Sequence, residues 1–433
     1  MAHIKGEEMS VSRKAAFAAG GASVAMLLAV TANATAAPTP KPTVKPVACA
    51  AQTGVDATSI KVAVISPRTG ASASNFAGFY EAAKLRMDQQ NAKGGVNGRK
   101  IIVTSYDDQA SGAIQSGVAS KAIDQDGNFG IIEATTADTM FPALKAANIP
   151  VVGLTNLPAQ TTDRNAFGAT GAFTTLYTSL GSAQKLKDLG ASNVMVINHN
   201  SPGANSAGTA FLATTGLVGL TNASRIADAP IGAYDATSTA LKFKASGADS
   251  ANMILLVDGS VSVLNAFKQQ GVAPKGVLVA GLSDPITVSK APAALEGATG
   301  STYGTVAPGV PGKPGLRTYV NGMKAAGFNP YGSSAPIGFV SADTFLKGLS
   351  LAGKCPTRQG FIDQLRNQDK ITGAGLLPIP ISYKPGLTPN GDPASCGWYM
   401  TVKGGTLVPD LKPTCAAIIE VATGKVVKAA PKS

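Results

Sequence analysis

Short apolar runs and longer amphipathic stretches alternate along the chain from about residue 60 onward. Runs of strand length occupy 61–66, 100–106, 129–134 and 150–154. Stretches with helical spacing occupy 76–91, 113–124 and 138–147. Because strands that alternate with helices of this length form βαβ units, the pattern predicts a parallel sheet with crossover helices.

The same pattern repeats in the second half of the chain. The strand-length runs there are 193–198, 225–228, 253–257 and 277–280, and the helical stretches are 204–217, 238–246 and 260–270. Further helices are predicted at 315–326, 339–351 and 357–366, followed by short strands and turns from 379 to 408. The repetition predicts an α/β fold with two doubly wound parallel-sheet lobes, because 433 residues suffice for two hydrophobic cores.

The chain is expected to pass between the two predicted lobes more than once. The N-terminal lobe is predicted to comprise 59–173 plus 303–383, and the C-terminal lobe 174–302 plus 384–425, with a basic tail at 426–433. About three crossovers, near Thr174, Tyr303 and Tyr383, would join the lobes. Such an arrangement predicts a hinge about which the lobes close on a ligand.

The N-terminal segment has the parts of a secretory signal. Arg13 and Lys14 precede an apolar run at 15–30, which small residues follow. The run is about 16 residues long, shorter than the roughly 20 that span a membrane. We predict a signal peptide at 1–36 and a Pro/Lys-rich tether at 37–58. The protein would be exported to the periplasm or extracellular cell envelope of a bacterium, with no stable membrane insertion after cleavage.

Composition narrows the functional classes. Apolar residues make up 44% of the chain and charged residues 14%, as in globular proteins. The formal net charge is +12, but the lysines are spread thinly along the chain. Because no predicted helix carries a basic stripe with interleaved aromatic residues, we predict no nucleic-acid partner.

Four cysteines, Cys49, Cys355, Cys396 and Cys415, are widely spaced and form no C-x-x-C motif. In an exported chain, an even number of cysteines favours disulfides over a zinc or redox site. Four cysteines allow three pairings. We favour Cys355–Cys396 and Cys49–Cys415, the second of which would tie the two ends of the folded chain together.

Motifs of catalysis are missing from the sequence. The two histidines are His3, in the predicted signal, and His199. One mature histidine cannot form a histidine-based metal cluster, and a lone histidine is more often structural than functional. The chain contains no G-x-S-x-G elbow and no phosphate-binding loop. We therefore predict no enzymatic activity, no catalytic residue, no cofactor and no metal.

Two segments of the first predicted lobe are distinctive: 60–70 reads IKVAVISPRTG, and 91–99 reads NAKGGVNGR. Gly94, Gly95 and Gly98 stand where a helix must turn into a strand, which favours residues that tolerate positive φ. These segments resemble the branched-chain amino-acid (Leu/Ile/Val) binding proteins, which are type I periplasmic solute-binding proteins of ABC transporters. The resemblance extends, as a pattern, over most of the chain, and it implies a small-molecule ligand and an ABC transporter permease as partners.

Ligands of open parallel sheets bind where loops leave the carboxyl ends of the strands. Three loops qualify, at 66–75, 133–138 and 154–156, and the resemblance implies that the last two hold a ligand carboxylate. The residues carried over by position are Thr135, Thr136, Thr155 and Asn156. The alternative is that these hydroxyl and amide groups only cap helices. In the first loop, Arg68 is a candidate to receive a second carboxylate, and Asn75 is a further candidate contact.

The second predicted lobe departs from the family pattern. Ser201 lies where the family has a Tyr-Gly pair, and Asp258 lies near the position of its aromatic residue. Ser283 and Asp284 lie near the position of its amine-pairing glutamate. Asp258, Asp284 or Glu133 would pair with a ligand ammonium, or else serve as solvated helix caps. A polar or acidic ligand is therefore as consistent with the sequence as leucine, isoleucine or valine.

The sequence as a whole predicts an extracytoplasmic solute-binding protein. It would capture a small amino-acid-like or carboxylate-bearing ligand by lobe closure and deliver it to an ABC permease. The alternative is a ligand-sensing module for a membrane receptor that binds a different kind of small molecule. The candidate ligand-binding residues are Arg68, Asn75, Glu133, Thr135, Thr136, Thr155, Asn156, Ser201, Asp258 and Ser283.

Overall fold

The computed structural model describes residues 49–431. The predicted signal peptide, the first part of the predicted tether and the last two residues of the basic tail lie outside these residues. The strands are β1 Ser59–Ile65, β2 Lys100–Tyr106, β3 Gly130–Glu133, β4 Val151–Gly153, β5 Ala166–Gly168, β6 Tyr177–Ser179, β7 Asn193–His199, β8 Thr221–Ala229, β9 Ser250–Ile254, β10 Gly276–Ala280, β11 Thr299–Ser301, β12 Cys396–Gly397, β13 Tyr399–Lys403, β14 Thr406–Pro409, β15 Thr414–Cys415, β16 Ile418–Glu420 and β17 Val426–Lys428.

Helices of very different length connect these strands. They are α1 Phe79–Ala92, α2 Gly112–Ser120, α3 Phe141–Ala146, α4 Ala159–Thr162, α5 Gly181–Asp188, α6 Pro202–Thr215, α7 Thr237–Ala245, α8 Val257–Gln269, α9 Pro285–Lys290, α10 Pro292–Leu295, α11 Pro314–Ala325, α12 Ala335–Leu351 and α13 Arg358–Arg366. A π-helical turn, Lys121–Gln125, continues α2. The prediction of an α/β fold is confirmed.

The first sheet contains five parallel strands in the order β2-β1-β3-β4-β5. Strands β1, β3, β4 and β5 are buried almost throughout, whereas the edge strand β2 exposes Lys100, Ile102 and Thr104 on one face. One face packs against α1, α11, α12 and α13 through side chains such as Phe345 and Phe361. The other packs against α2 and α3 through Phe141 and Leu144. The predicted first parallel sheet is confirmed, with the unpredicted β5 at its edge.

The turn between α1 and β2 has the backbone that its glycines predict. Gly94, Gly95 and Gly98 all have positive φ. At Gly95 a Cβ atom would lie 1.9 Å from the carbonyl oxygen of Arg99, so no other residue fits there. The segment 91–99 therefore sets the fold locally, by turning the chain from helix to strand.

The second sheet contains seven strands in the order β14-β13-β11-β10-β9-β7-β8. The strands from β8 to β11 are parallel, as predicted, while β13 and β14 join antiparallel at one edge. The predicted strand at 253–257 lies in fact at Ser250–Ile254, and Val257 already begins α8. The apolar run continues beyond the strand because the first turn of α8 is itself buried.

Two disulfides join Cys49 to Cys355 and Cys396 to Cys415. The predicted pairing of Cys355 with Cys396 and of Cys49 with Cys415 is wrong. Strand β12 pairs with β15, which places Cys396 directly opposite Cys415. Arg99 helps to hold together the segments that carry Cys49 and Cys355. Its guanidinium donates hydrogen bonds to the carbonyl oxygens of Asp56 and Lys354.

A three-stranded sheet, β17-β16-β6, lies at the C-terminal end of the chain. Part of the predicted basic tail thus forms a strand, since β17 pairs with β16. Within residues 49–431, no helix combines the length and the apolar character that crossing a membrane requires. The predicted lobe boundaries and crossovers stay predictions.

Candidate functional site

A cavity of about 530 Å³ lies where residues of the first sheet meet residues of the second. The first sheet supplies the loops that follow its strands, because the chain leaves parallel strands at their carboxyl ends. The residues on that side include Asn75, Phe76, Thr136, Thr155, Asn156 and Thr170. The volume falls within the roughly 300–1,000 Å³ typical of small-molecule sites.

Thr155 and Asn156, which follow β4, line the cavity as the sequence predicts. The Thr155 hydroxyl accepts a hydrogen bond of 3.0 Å from the backbone N–H of Thr170. The Asn156 amide donates a hydrogen bond of 2.8 Å to the carbonyl oxygen of Thr135. Both side chains therefore fix the shape of the loop in addition to lining the cavity.

Thr136, Asn75 and Ser201 also line the cavity. Thr136 is exposed, and its hydroxyl has no hydrogen-bond partner among the described residues. Ser201 caps α6, because its hydroxyl accepts a hydrogen bond of 3.4 Å from the N–H of Ala204. The N-terminus of α6, with its partial positive charge, therefore lies at the cavity.

Glu133 and Thr135 lie behind the cavity wall and do not line it. The Thr135 hydroxyl donates a hydrogen bond of 2.5 Å to the buried Asp108 carboxylate. Glu133 is 0% exposed and accepts a hydrogen bond of 3.0 Å from Gln160. Burial, with the nearby Asp108 charge, raises the pKa of Glu133 well above its ordinary value. A neutral, enclosed Glu133 is poorly placed to pair with a ligand ammonium.

Arg68, Asp258 and Ser283 are not among the residues that line the cavity. Arg68 forms an ion pair of 3.1 Å with Glu81. Asp258 accepts a hydrogen bond of 3.2 Å from the hydroxyl of Ser74. Ser283 is buried.

Asp284, the neighbour of Ser283, caps α9. Its carboxylate accepts a hydrogen bond of 2.9 Å from the N–H of Ile286. Burial raises the pKa of Asp284 above its ordinary value. The helix-cap interpretation therefore describes what Asp284 does in this structure.

One face of the second sheet forms the floor of the cavity, and sequence reasoning missed it. The residues of this face that line the cavity are Asn252, Ile254, Leu278, Ala280, Ser301 and Tyr399. They come from β9, β10, β11 and β13, and their alternation along the strands places them on one side of the sheet. Helix α6 flanks this floor with small residues. The unbroken run of small side chains at 203–210 is the signal that could have revealed it.

His199 lines the cavity, but both of its ring nitrogens are engaged by the backbone. Nδ1 lies 3.1 Å from the carbonyl oxygen of Ala229, and Nε2 accepts a hydrogen bond of 2.7 Å from the N–H of Leu256. Burial lowers the pKa of His199 below its ordinary value. The imidazole is therefore neutral and fixes the end of β7, as expected of a lone structural histidine.

The cavity is electrically neutral in its lining. No Lys, Arg, Asp or Glu occurs among the described residues that line it. Within residues 49–431 there is also no group of three or more His, Cys, Asp or Glu side chains arranged to hold a metal ion. The site offers hydroxyls, amides, backbone N–H groups and apolar surface, which is the chemistry of binding a small molecule.

Two open α/β sheets that enclose a neutral, ligand-sized cavity at their strand ends define a solute-binding protein. The chain belongs to the periplasmic binding protein family, whose sequence model matches residues 59–406. The family resemblance of the first lobe is thereby confirmed. No curated protein matches the chain.

Solved structures with the same fold come from ABC transport systems. A branched-chain amino-acid ABC transporter protein from Thermus thermophilus, solved with bound valine, has 17% identity and a TM-score of 0.71, covering 83% of this chain and 98% of that one. A fatty acid ABC transporter substrate-binding protein from Thermomonospora curvata has 17% identity and a TM-score of 0.67, covering 89% and 95%. A solute-binding protein from Rhodopseudomonas palustris in complex with p-hydroxybenzoic acid has 17% identity and a TM-score of 0.67, covering 83% and 97%.

Proposed function

We propose that this protein is an exported solute-binding protein that captures a small carboxylate-bearing ligand between two lobes and delivers it to an ABC permease. The observation that carries the proposal is the cavity of about 530 Å³, which is lined by residues from both sheets. A ligand seated there touches both halves of the molecule at once. Its binding energy therefore favours the arrangement in which the two halves are close together.

The carboxylate in this proposal is supported by the donors that face the cavity. Thr136 presents a free hydroxyl, and α6 directs its N-terminus at the same space. Backbone N–H groups and the helix dipole together favour an anion at such a position. Valine and p-hydroxybenzoic acid, which are bound in two of the similar structures, both carry a carboxylate.

Closure of the lobes is supported by two contacts between residues on the side of the first sheet and residues on the side of the second. Ser74, near the first sheet, donates a hydrogen bond of 3.2 Å to Asp258 on α8 of the second. Gly203, in the first turn of α6, lies against the loop after β4, since a Cβ there would be 3.1 Å from the carbonyl oxygen of Asn156. We infer that these contacts form on closing and break on opening.

Binding, not catalysis, is the proposed outcome for a bound ligand. The cavity contains one histidine, and its two ring nitrogens already have backbone partners. A general base must reach the ligand with a free lone pair, and His199 has none to offer. Export is supported by the two disulfides, which persist in oxidising compartments.

A thermal-shift and calorimetry screen with valine, isovalerate, benzoate and octanoate tests this function. A binding ligand should raise the Tm, because it stabilises the folded state by mass action. Thr136→Val should lower the affinity for that ligand by about tenfold, because it removes one hydrogen bond to a charged group. The matched control is Thr221→Val, an exposed threonine that does not line the cavity.

Two outcomes would contradict the proposal. If none of the four compounds raises the Tm, the carboxylate part is wrong. If a compound is chemically converted by the purified protein, the protein is an enzyme and the binding function is incomplete. If a ligand binds but a reconstituted permease does not transport it from the loaded protein, the result would favour the receptor-sensing alternative.

A further inference from the structure

The cavity does not end at the carboxyl edge of the second sheet. Ile254 and Ala280 lie at that edge, and both line the cavity. Asn252 and Leu278, two residues earlier on the same strands, pair with each other in register and also line it. Two residues along a strand correspond to roughly 7 Å, so the cavity continues by about that distance over the sheet face.

The wall of this extension is built from small side chains. Gly203, Ser206, Ala207 and Ala210 of α6 line the cavity, and their spacing places them along one side of the helix. Residues of β6 and of the start of α5 also line the cavity, and Tyr399 belongs to its floor. We call the space bounded by Asn252, Leu278, Ala207, Ala210 and Tyr399 the inner subsite.

Asn252 is the exceptional residue of the inner subsite. Asn252 is only 8% exposed, and its side chain lies on the same face of the sheet as those of Ile254 and Leu278. None of the described residues forms a hydrogen bond with its amide. Because Asn252 lines the cavity, its amide is open to that space and can exchange hydrogen bonds with a ligand group there.

The neutral lining also limits which ligands fit. An α-amino acid brings an ammonium group, and a buried ammonium needs a carboxylate or several acceptors. Asp258 and Asp284 do not line the cavity, and Glu133 lies behind its wall. A carboxylic acid without an ammonium group fits this lining better than an amino acid does.

Resting on the function proposed above, we propose that the ligand is an elongated carboxylic acid without an ammonium group. Its apolar tail enters the inner subsite. The tail carries a hydroxyl or carbonyl group that forms a hydrogen bond with Asn252. The carboxylate lies at Thr136 and the N-terminus of α6. The tail lies along Leu278 and the small residues of α6. Asn252 selects the acid with a polar group part way along its tail.

Calorimetry with the full exported chain tests the ligand class directly. The probes are valine, isovalerate, octanoate and a series of hydroxyoctanoates with the hydroxyl at each position from carbon 3 to carbon 8. Isovalerate should bind more tightly than valine, and octanoate more tightly than isovalerate. One hydroxyoctanoate should bind about tenfold more tightly than octanoate, because its hydroxyl satisfies the Asn252 amide.

Two variants separate the parts of the proposal. Asn252→Leu should abolish the preference for that hydroxyoctanoate and leave octanoate binding equal or tighter. Ala207→Phe should fill the inner subsite and weaken the binding of octanoate by more than tenfold, a larger loss than for the shorter isovalerate. The matched control is Ala213→Phe, on the same helix but outside the cavity lining, which should change neither affinity. Isovalerate binding also shows that each variant is folded.

The outcomes distinguish this inference from the function on which it rests. If valine binds more tightly than octanoate and all of the hydroxyoctanoates, the inference is overturned and the solute-binding function stays intact. Equal affinities of octanoate and all hydroxyoctanoates, or a preference that survives Asn252→Leu, would overturn the role of Asn252. Failure of every probe to bind would overturn the inference together with the proposed carboxylate ligand.

Discussion

The two faces of the second sheet are packed in different ways. On one face, α7 and α8 bring large side chains, including Phe243 and Phe267, whose ring centroids lie 4.5 Å apart. On the other face, α6 brings Gly203, Ser206, Ala207 and Ala210. The first face is filled by its own chain, whereas the second is filled only in part, by side chains such as Leu186 and Phe211, and leaves the cavity beside the small residues of α6.

The difference shows how one sheet can serve stability and binding at once. Large apolar residues on α8 bury the side chains of Met253 and Val279 completely. Small residues on α6 leave Asn252 and Leu278 beside a cavity. Alternation along each strand keeps the two roles on opposite sides of the sheet. A binding surface can therefore occupy one face of a sheet whose opposite face belongs to a close-packed core.

The largest expected contrast is between truncations on the two faces. Phe267→Ala removes a side chain that is 1% exposed in the filled core and should lower the free energy of unfolding by about 4 kcal/mol. Leu278→Ala, next to the cavity, should cost only about 2 kcal/mol, because part of its surroundings is already open. Denaturant unfolding of both variants measures the difference, and equal losses would contradict the comparison.

A pH-dependent contrast of intermediate size should come from His199. Its pKa is lowered in the folded protein by burial, so the unfolded chain binds the proton more readily as pH falls below about 6.5. Stability from the neutral ring is present at pH 7.5 and is lost as pH falls through that range. We expect the wild type to lose more stability between pH 7.5 and pH 5 than His199→Gln does.

Comparison with His199→Gln isolates the histidine from the carboxyl groups. Asp108 and Glu133 have raised pKa values, so they favour the folded state as pH falls, the opposite sign. Both are present in the wild type and in the variant, and their contribution cancels in the difference. Parallel stability curves for the two proteins would show that His199 is not held neutral.

The smallest expected effect concerns Asn252 without ligand. Asn252→Leu replaces an amide that forms no hydrogen bond with the described residues, and it should raise the free energy of unfolding by less than about 1 kcal/mol, because the amide already faces the cavity. Asn205→Leu is the contrasting variant, since Asn205 accepts a hydrogen bond of 2.9 Å from Asn198 and should lose stability. Thermal unfolding measures both, and a loss of stability in Asn252→Leu would place that amide in a hydrogen bond after all.

The central strands of the first sheet could be predicted because they are buried almost throughout and therefore read as short apolar runs. Strand β2 has the bounds that its apolar run predicts, and the turn at Gly95 follows from glycine's tolerance of positive φ. Strands β5 and β6 do not stand out in the sequence, because they read Ala-Phe-Gly and Tyr-Thr-Ser and neither is an apolar run. The disulfide pairing was also missed, since it depends on β12 meeting β15, a contact that no local pattern indicates.

The candidate site could be predicted mainly on the side of the first sheet, with Ser201 the predicted residue that lines the cavity from the second. Thr136, Thr155 and Asn156 line the cavity because loops after parallel strands always lie at the same edge. Glu133 and Thr135 occur in the same loop region but face inward, and one residue decides which way a side chain points. Asn252 could not be predicted from the sequence, because the hydrogen-bond partners of an asparagine inside a strand depend on the tertiary structure.

The order of the cysteines has a consequence for how the chain matures. Cys49 bonds to Cys355, the next cysteine along the chain, and Cys396 bonds to Cys415. Cysteines oxidised in the order in which they are synthesised would therefore reach the native pairs without reshuffling. The two covalent loops also follow one another without overlap, so closing the first does not trap the second. Oxidative maturation of this chain should need an oxidant but no disulfide isomerase.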